Sequence, residues 1–142
     1  MTTTVRQILR SKPEVYAVAP DETVYNALTL MAEKNIGAVL VMEGAEVRGI
    51  FSERDYARRG ILQGHASHET AVRQVMTAEV ICIDLSATVE TCMALMTEKR
   101  IRHLPVVEGG TVIGVVSIGD IVRSVVDDQQ FTIRSLVSYV TS

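Results

Sequence analysis

Two short stretches carry the residues best suited to chemistry, "GIFSERDYAR" from Gly49 and "GVVSIGDIVR" from Gly114. Each ends an apolar run on Ser-x-x-Asp-x-x-Arg, with Ser52, Asp55 and Arg58 in the first and Ser117, Asp120 and Arg123 in the second. A serine followed three residues later by an acid, where a helical pattern begins, reads as a capping box. Its hydroxyl accepts a backbone N–H and its acid reaches back to the serine's own N–H. The same corner suits a ligand, because N–H groups at a helix start attract an anion and a carboxylate beside them accepts both hydroxyls of a ribose. The chemistry on offer is binding. The 142 residues contain no Gly-x-x-x-x-Gly-Lys loop, no Gly-x-Gly-x-x-Gly turn and no Gly-x-Ser-x-Gly elbow, so no catalytic residue is assigned and the chain is read as a non-enzyme. His65 and His68 lie in "HASHE", which has neither His-Glu-x-x-His nor His-x-x-Glu-His order, and no metal site is assigned.

The elements that position these corners come in two copies. Sliding the chain by 65 residues lays 15–58 over 80–123 without a gap, with Thr23 on Thr88, Met31 on Met96, Ile36 on Ile101, Gly49 on Gly114 and the two Ser-x-x-Asp corners on each other. Residues 15–18 and 80–83 read as short strands, and a helical pattern follows each, through Val24, Ala27, Leu28 and Met31 or through Val89, Met93 and Met96. The methionines are expected in the core. Residues 36–42 and 101–107 are buried-type strands, and Glu43-Gly44 or Glu108-Gly109-Gly110 turns each into a second strand. A further helix starts at each corner, so each unit is β-α-β-β-α and the fold class is α/β, with the two units expected about a pseudo-twofold axis and a cleft between them. The boundaries are 1–14 for an N-terminal lead-in helix, 15–59 for the first repeat, 60–71 for a linker, 72–126 for the second repeat and 127–142 for a tail helix. "VRQ" at Val5 and again at Val72 marks the lead-in segments. Phe131, Ile133, Leu136, Val137 and Val140 make the tail amphipathic, to be covered by its own core or by a second chain.

Composition bounds the function class. A formal charge of −3 gives no broad basic surface, so neither nucleic acid nor a membrane is expected as partner. The N-terminus lacks the pattern of a secretory signal, the longest apolar run is far short of a spanning helix, and the expected location is cytoplasmic. Cys82 in a strand-like run and Cys92 on a helical face are expected as buried, reduced thiols.

The paired pattern, strongest in "RIRHLPVVEGGTVIGVVSIGDIV", resembles a cystathionine β-synthase (CBS) domain pair, the Bateman module. The resemblance spans about 5–126. It implies a regulatory module that associates as a disc-shaped homodimer, binds an adenosine-containing ligand and signals to a partner protein. By that resemblance Asp55 and Asp120 accept the ribose diol, with Ser52 and Ser117 beside the ribose or phosphate. Thr23 and Thr88 line the nucleoside pocket. Gly37, Ala38 and Val39, and Arg102, His103, Leu104 and Pro105, flank the base and phosphate. The copies differ in charge, because Arg54 stands in the first corner where Gly119 stands in the second, while Arg102-His103 stand on the second strand opposite Gly37-Ala38 of the first. The two sites are therefore expected to be inequivalent, with Arg54 and Arg102 or His103 holding phosphate of a shared or neighbouring ligand. So few cations favour AMP or NAD(H), with ADP, ATP or S-adenosylmethionine as further candidates. Two alternatives stand beside this reading: a ligand-independent dimerisation and docking scaffold whose Ser-x-x-Asp groups are only helix caps, and a small nucleotide hydrolase.

Overall fold

The computed structural model describes residues 3–11 and 14–141 as short helices and small sheets. The chain opens with α1 (Val5–Leu9) and continues through β1 (Ala17–Val18), α2 (Val24–Lys34), β2 (Ala38–Glu43), β3 (Glu46–Ser52), a single turn α3 (Glu53–Asp55), α4 (Val89–Lys99), β4 (His103–Glu108), β5 (Thr111–Ser117) and α5 (Ile118–Thr141). It divides into two compact units, one holding Glu14–Ile81 and the other α1 with the chain from Cys82 onward.

These units cut the chain differently from the repeats in its sequence. The segment after the linker, a tight turn over Val72–Gln74, belongs with the first repeat, and α1 belongs with the second. Backbone hydrogen bonds explain the exchange. Val24 N donates to Thr70 O and Val72 N to Glu22 O, so the lead-in segment is clipped to the start of α2. In the other unit Val89 N donates to Thr3 O and Val5 N to Ala87 O, which clips α1 to the start of α4 in the same way. The linker is likewise docked: Tyr25 N donates to Ser67 O, and the His68 ring stacks on Tyr25 with centroids 3.9 Å apart.

In the first unit α2 buries Val24, Ala27 and Met31, a stripe at helical spacing, against Val39, Val41 and Phe51 of the sheet and Val72 and Val75 of the lead-in segment. Thr23 caps α2 at its start. Asn35 ends it in the left-handed conformation, at φ 54°. β1 runs parallel to β2, and β2 pairs antiparallel with β3 through a turn at Gly44, whose φ of 62° suits glycine. The second unit repeats this plan with Val89, Cys92 and Met96 buried on α4 and Leu104, Val106 and Val116 buried on β4 and β5.

Several expectations need correction. Residues 80–83 form no strand, and only Ile83 bridges to Val106, in parallel. Met93 is 42% exposed, because the buried stripe of α4 passes through Cys92 instead. Cys92 is buried but Cys82 is exposed. Both thiols are free, and desolvation pushes both above the usual thiol range. The helix beginning at Ser52 is regular for one turn only; it widens into a π turn over Tyr56–Gly60 and closes over Ile61–Gln63. The tail is no separate helix, since α5 runs unbroken from the second corner to Thr141.

Gly49 and Gly114 let the lead-in segments approach the sheets. A Cβ at Gly49 would lie 2.6 Å from the backbone carbonyl of Thr77, whereas one at Gly114 would meet only the Leu9 side chain, at 2.8 Å. Gly49→Ala is expected to cost about 1–3 kcal/mol in urea unfolding, and Gly114→Ala less, because a leucine end can turn aside and a paired backbone cannot.

Candidate functional site

Each Ser-x-x-Asp corner forms where a strand passes directly into a helix, with no loop between them. In the first unit Ala38 pairs with Ser52 across the hairpin, and Glu53 N donates to the Gly37 carbonyl at 3.1 Å. In the second His103 pairs with Ser117, and Ile118 N donates to the Arg102 carbonyl at 2.8 Å. Of the strand residues named from the sequence, Gly37, Ala38, Arg102 and His103 therefore meet the corner of their own repeat, while Val39, Leu104 and Pro105 pair with Phe51, Val116 and Val115 further along the hairpins.

The two corners share a hydrogen-bond frame. Ser52 N donates to Asp55 Oδ2 at 2.9 Å and Asp55 N donates to Ser52 Oγ at 3.2 Å; Ser117 N donates to Asp120 Oδ2 at 2.8 Å and Asp120 N to Ser117 Oγ at 3.2 Å. Both aspartates are only 9% exposed. A carboxylate desolvated to that degree has to be hydrogen-bonded, and the reciprocal cap does this while fixing its direction.

The remaining contacts differ. In the first corner Ser52 Oγ also donates to Asp55 Oδ2 at 3.0 Å, and Thr77 Oγ1 donates to Asp55 Oδ1 at 3.1 Å. In the second, Arg123 Nη1 stands 3.5 Å from Asp120 Oδ1. The sequence assigns Thr77 no role, and it places Arg123 in the repeated motif without giving it a ligand contact. Arg123 was legible as the last residue of the repeated motif. Thr77 had only the repeated "VRQ" before it as a signal, since its approach depends on the lead-in segment crossing to β3, where Ile50 and Thr77 exchange backbone hydrogen bonds of 2.9 Å each.

The other named residues fall into place around these frames. Thr23 and Thr88 cap α2 and α4, their hydroxyls each accepting a backbone N–H at 3.1 Å, from Asn26 and Thr91. Beside Thr23, hydrogen bonds from the Asn26 side chain and the Thr23 backbone hold the Glu22 carboxyl below its usual range. Val39, Leu104 and Pro105 are buried, Arg54 and His103 are half-buried, and Arg58, Arg102 and Gly119 are exposed. Arg54 belongs to one compact unit and Arg102 and His103 to the other.

Known proteins bear on this geometry. The CBS domain family model matches residues 5–61 and 72–127. A solved CBS-domain structure from Burkholderia ambifaria is 52% identical, covers 92% of this chain and 99% of its own, and superposes with a TM-score of 0.86. The mitochondrial CBS domain-containing protein CBSX3 of Arabidopsis thaliana is 38% identical over 98% of this chain and 72% of its own length. YhcV of Bacillus subtilis is 33% identical over 76% of each chain. The chain belongs to the CBS domain family and carries two CBS domains in tandem. Among the described residues no helix is long and apolar enough to cross a membrane.

Thr77→Val keeps the shape of the side chain and removes the hydroxyl that holds Asp55 Oδ1. It is expected to lower stability by about 1–2 kcal/mol in urea unfolding; a change within error would mean that Ser52 alone holds the carboxylate.

Proposed function

We propose that the chain is a regulatory module that binds an adenosine-containing nucleotide, AMP or NAD(H) in preference to ADP, ATP or S-adenosylmethionine, at its Ser-x-x-Asp corners and passes the bound state to a partner protein. The observation that carries this reading is the pair of corners built alike in the two repeats. Each holds a largely buried carboxylate, fixed in direction, at the first turn of a helix beside the start of a strand. Such a carboxylate accepts the vicinal hydroxyls of a ribose, and helix-start N–H groups with nearby arginines receive phosphate. Arg54 and Arg58 follow Ser52 closely in sequence at the first corner, whereas at the second Arg123 follows Ser117 and Arg102, just before β4, is brought in by the bond from Ile118 N to its carbonyl, so the cations are set differently at the two corners. The structurally similar Burkholderia protein is named for signal transduction, which supports a regulatory role. A CBS-CP12 protein from bloom-forming cyanobacteria, 27% identical with a TM-score of 0.77, is hexameric, which supports self-association of this chain as well.

A second reading has its own observation. The bonds that define each corner are those of a helix cap, and Asp55 has both oxygens engaged by Ser52 and Thr77. On that reading the module is a ligand-independent dimerisation and docking scaffold.

A thermal-shift panel of AMP, ADP, ATP, NAD, NADH and S-adenosylmethionine, run on the unaltered chain, Asp55→Ala and Asp120→Ala, separates the two. A ligand at 100 times its dissociation constant adds about 2.7 kcal/mol, seen as a rise of several degrees. The nucleotide reading expects a rise that one of the two substitutions abolishes. No rise with any of the six compounds leaves the scaffold.

A further inference from the structure

Three hydrogen bonds already end on the carboxylate of Asp55. Ser52 N and Ser52 Oγ both donate to Oδ2, at 2.9 and 3.0 Å, and Thr77 Oγ1 donates to Oδ1 at 3.1 Å. A carboxylate offers about four places to donors, two on each oxygen. Oδ2 is therefore full and Oδ1 keeps one place. A ribose diol held by a carboxylate fork sets one hydroxyl on each oxygen, and at Asp55 one of those two oxygens has no place left.

The residue that takes the third place is pinned within its own unit. Thr77 and Ile50 exchange two backbone hydrogen bonds of 2.9 Å, and Arg59 Nη1 donates to the Met76 carbonyl at 2.8 Å. The chain passes so close to β3 that a Cβ at Gly49 would lie 2.6 Å from the Thr77 carbonyl. A β-branched side chain on a fixed backbone has few rotamers, so its hydroxyl stays on Oδ1. With Asp55 only 9% exposed, a ligand has little room to turn the carboxylate instead.

We propose that Thr77 is the specificity-determining residue of the first corner. By occupying Oδ1 it limits Asp55 to one hydroxyl of a bound nucleotide, so that this corner takes a ribose and a singly deoxygenated ribose alike. The inference rests on the nucleotide reading above and narrows it at one of the two corners.

The test is calorimetric titration of the full chain carrying Asp120→Ala, which leaves the first corner to be read alone, with AMP, 2′-deoxy-AMP and 3′-deoxy-AMP. Asp120→Asn is the substitute background if the alanine chain does not unfold cooperatively. At least one deoxy analogue is expected to bind within about twofold of AMP, because the hydroxyl it lacks has no place on Asp55. Thr77→Val opens that place, and AMP is then expected to bind about tenfold tighter than either analogue, the effect of one hydrogen bond to a charged acceptor. Thr77→Ser keeps the hydroxyl and is expected to keep the pattern of the threonine chain. A purely structural role for Thr77 would move all three affinities together. The proposal is overturned if both analogues bind more than about twofold weaker than AMP while Thr77 is in place, since the ribose then finds two acceptors, Thr77 Oγ1 being the nearest second one. It is equally overturned if Thr77→Val keeps the threonine pattern, or if the Asp120→Ala chain binds no AMP. In that last case Asp55→Ala tells the two failures apart: AMP binding there leaves the nucleotide reading standing at Asp120, and its absence removes both. Where Thr77→Val does not fold, the comparison of analogues on the threonine chain decides alone.

Discussion

The clip between each lead-in segment and the start of a repeat's first helix governs most of this fold. A helix start leaves N–H groups without partners, and here the carbonyls of Thr70 and Thr3 supply partners to Val24 and Val89, while the lead-in segments donate back through Val72 and Val5. The short strand-like tail of the lead-in is then carried across β3, close enough that Gly49 admits no side chain, and Thr77 arrives at Asp55. The chemistry of the first corner thus depends on backbone bonds made to the start of α2.

Much of this plan was legible in the sequence. The repeat, the order of elements, the two hairpins and both capped corners follow from periodicity and from Ser-x-x-Asp, because those features are local and each copy checks the other. What escaped was set by tertiary placement. Thr77 reaches Asp55 from 22 residues away in sequence. Met93 has helical spacing as good as that of Cys92, and only the angle at which α4 meets its sheet decides which of them is covered. Cys82 sits in an apolar run that pairs at a single residue, so its neighbours' hydrophobicity gave no guide to its exposure. The apolar pattern of the tail resumes at Phe131 after Asp127, Asp128 and two glutamines, none of which breaks a helix, so α5 runs through them.

The two corners show how one frame acquires two chemistries. The reciprocal serine and aspartate bonds are alike to within 0.1 Å in both repeats. The variation lies one residue further out. A neutral hydroxyl meets the free side of Asp55, and a guanidinium stands beside Asp120. A hydroxyl leaves the carboxylate's charge in place, whereas a cation offsets it, so the two corners present different fields.

The exchange of lead-in segments also orders events in time. The unit of the second repeat needs Thr3 and Val5 at the start of α4, more than 80 residues further along the chain. Because α1 leaves the ribosome before either repeat, it is among the last elements to be seated, and it must wait through the making of an entire repeat before its partners exist. Closing so long a loop slows folding more than it weakens the folded state. A chain stopped at Ile81 has everything that the unit Glu14–Ile81 requires, but it carries an α1 with no place to go.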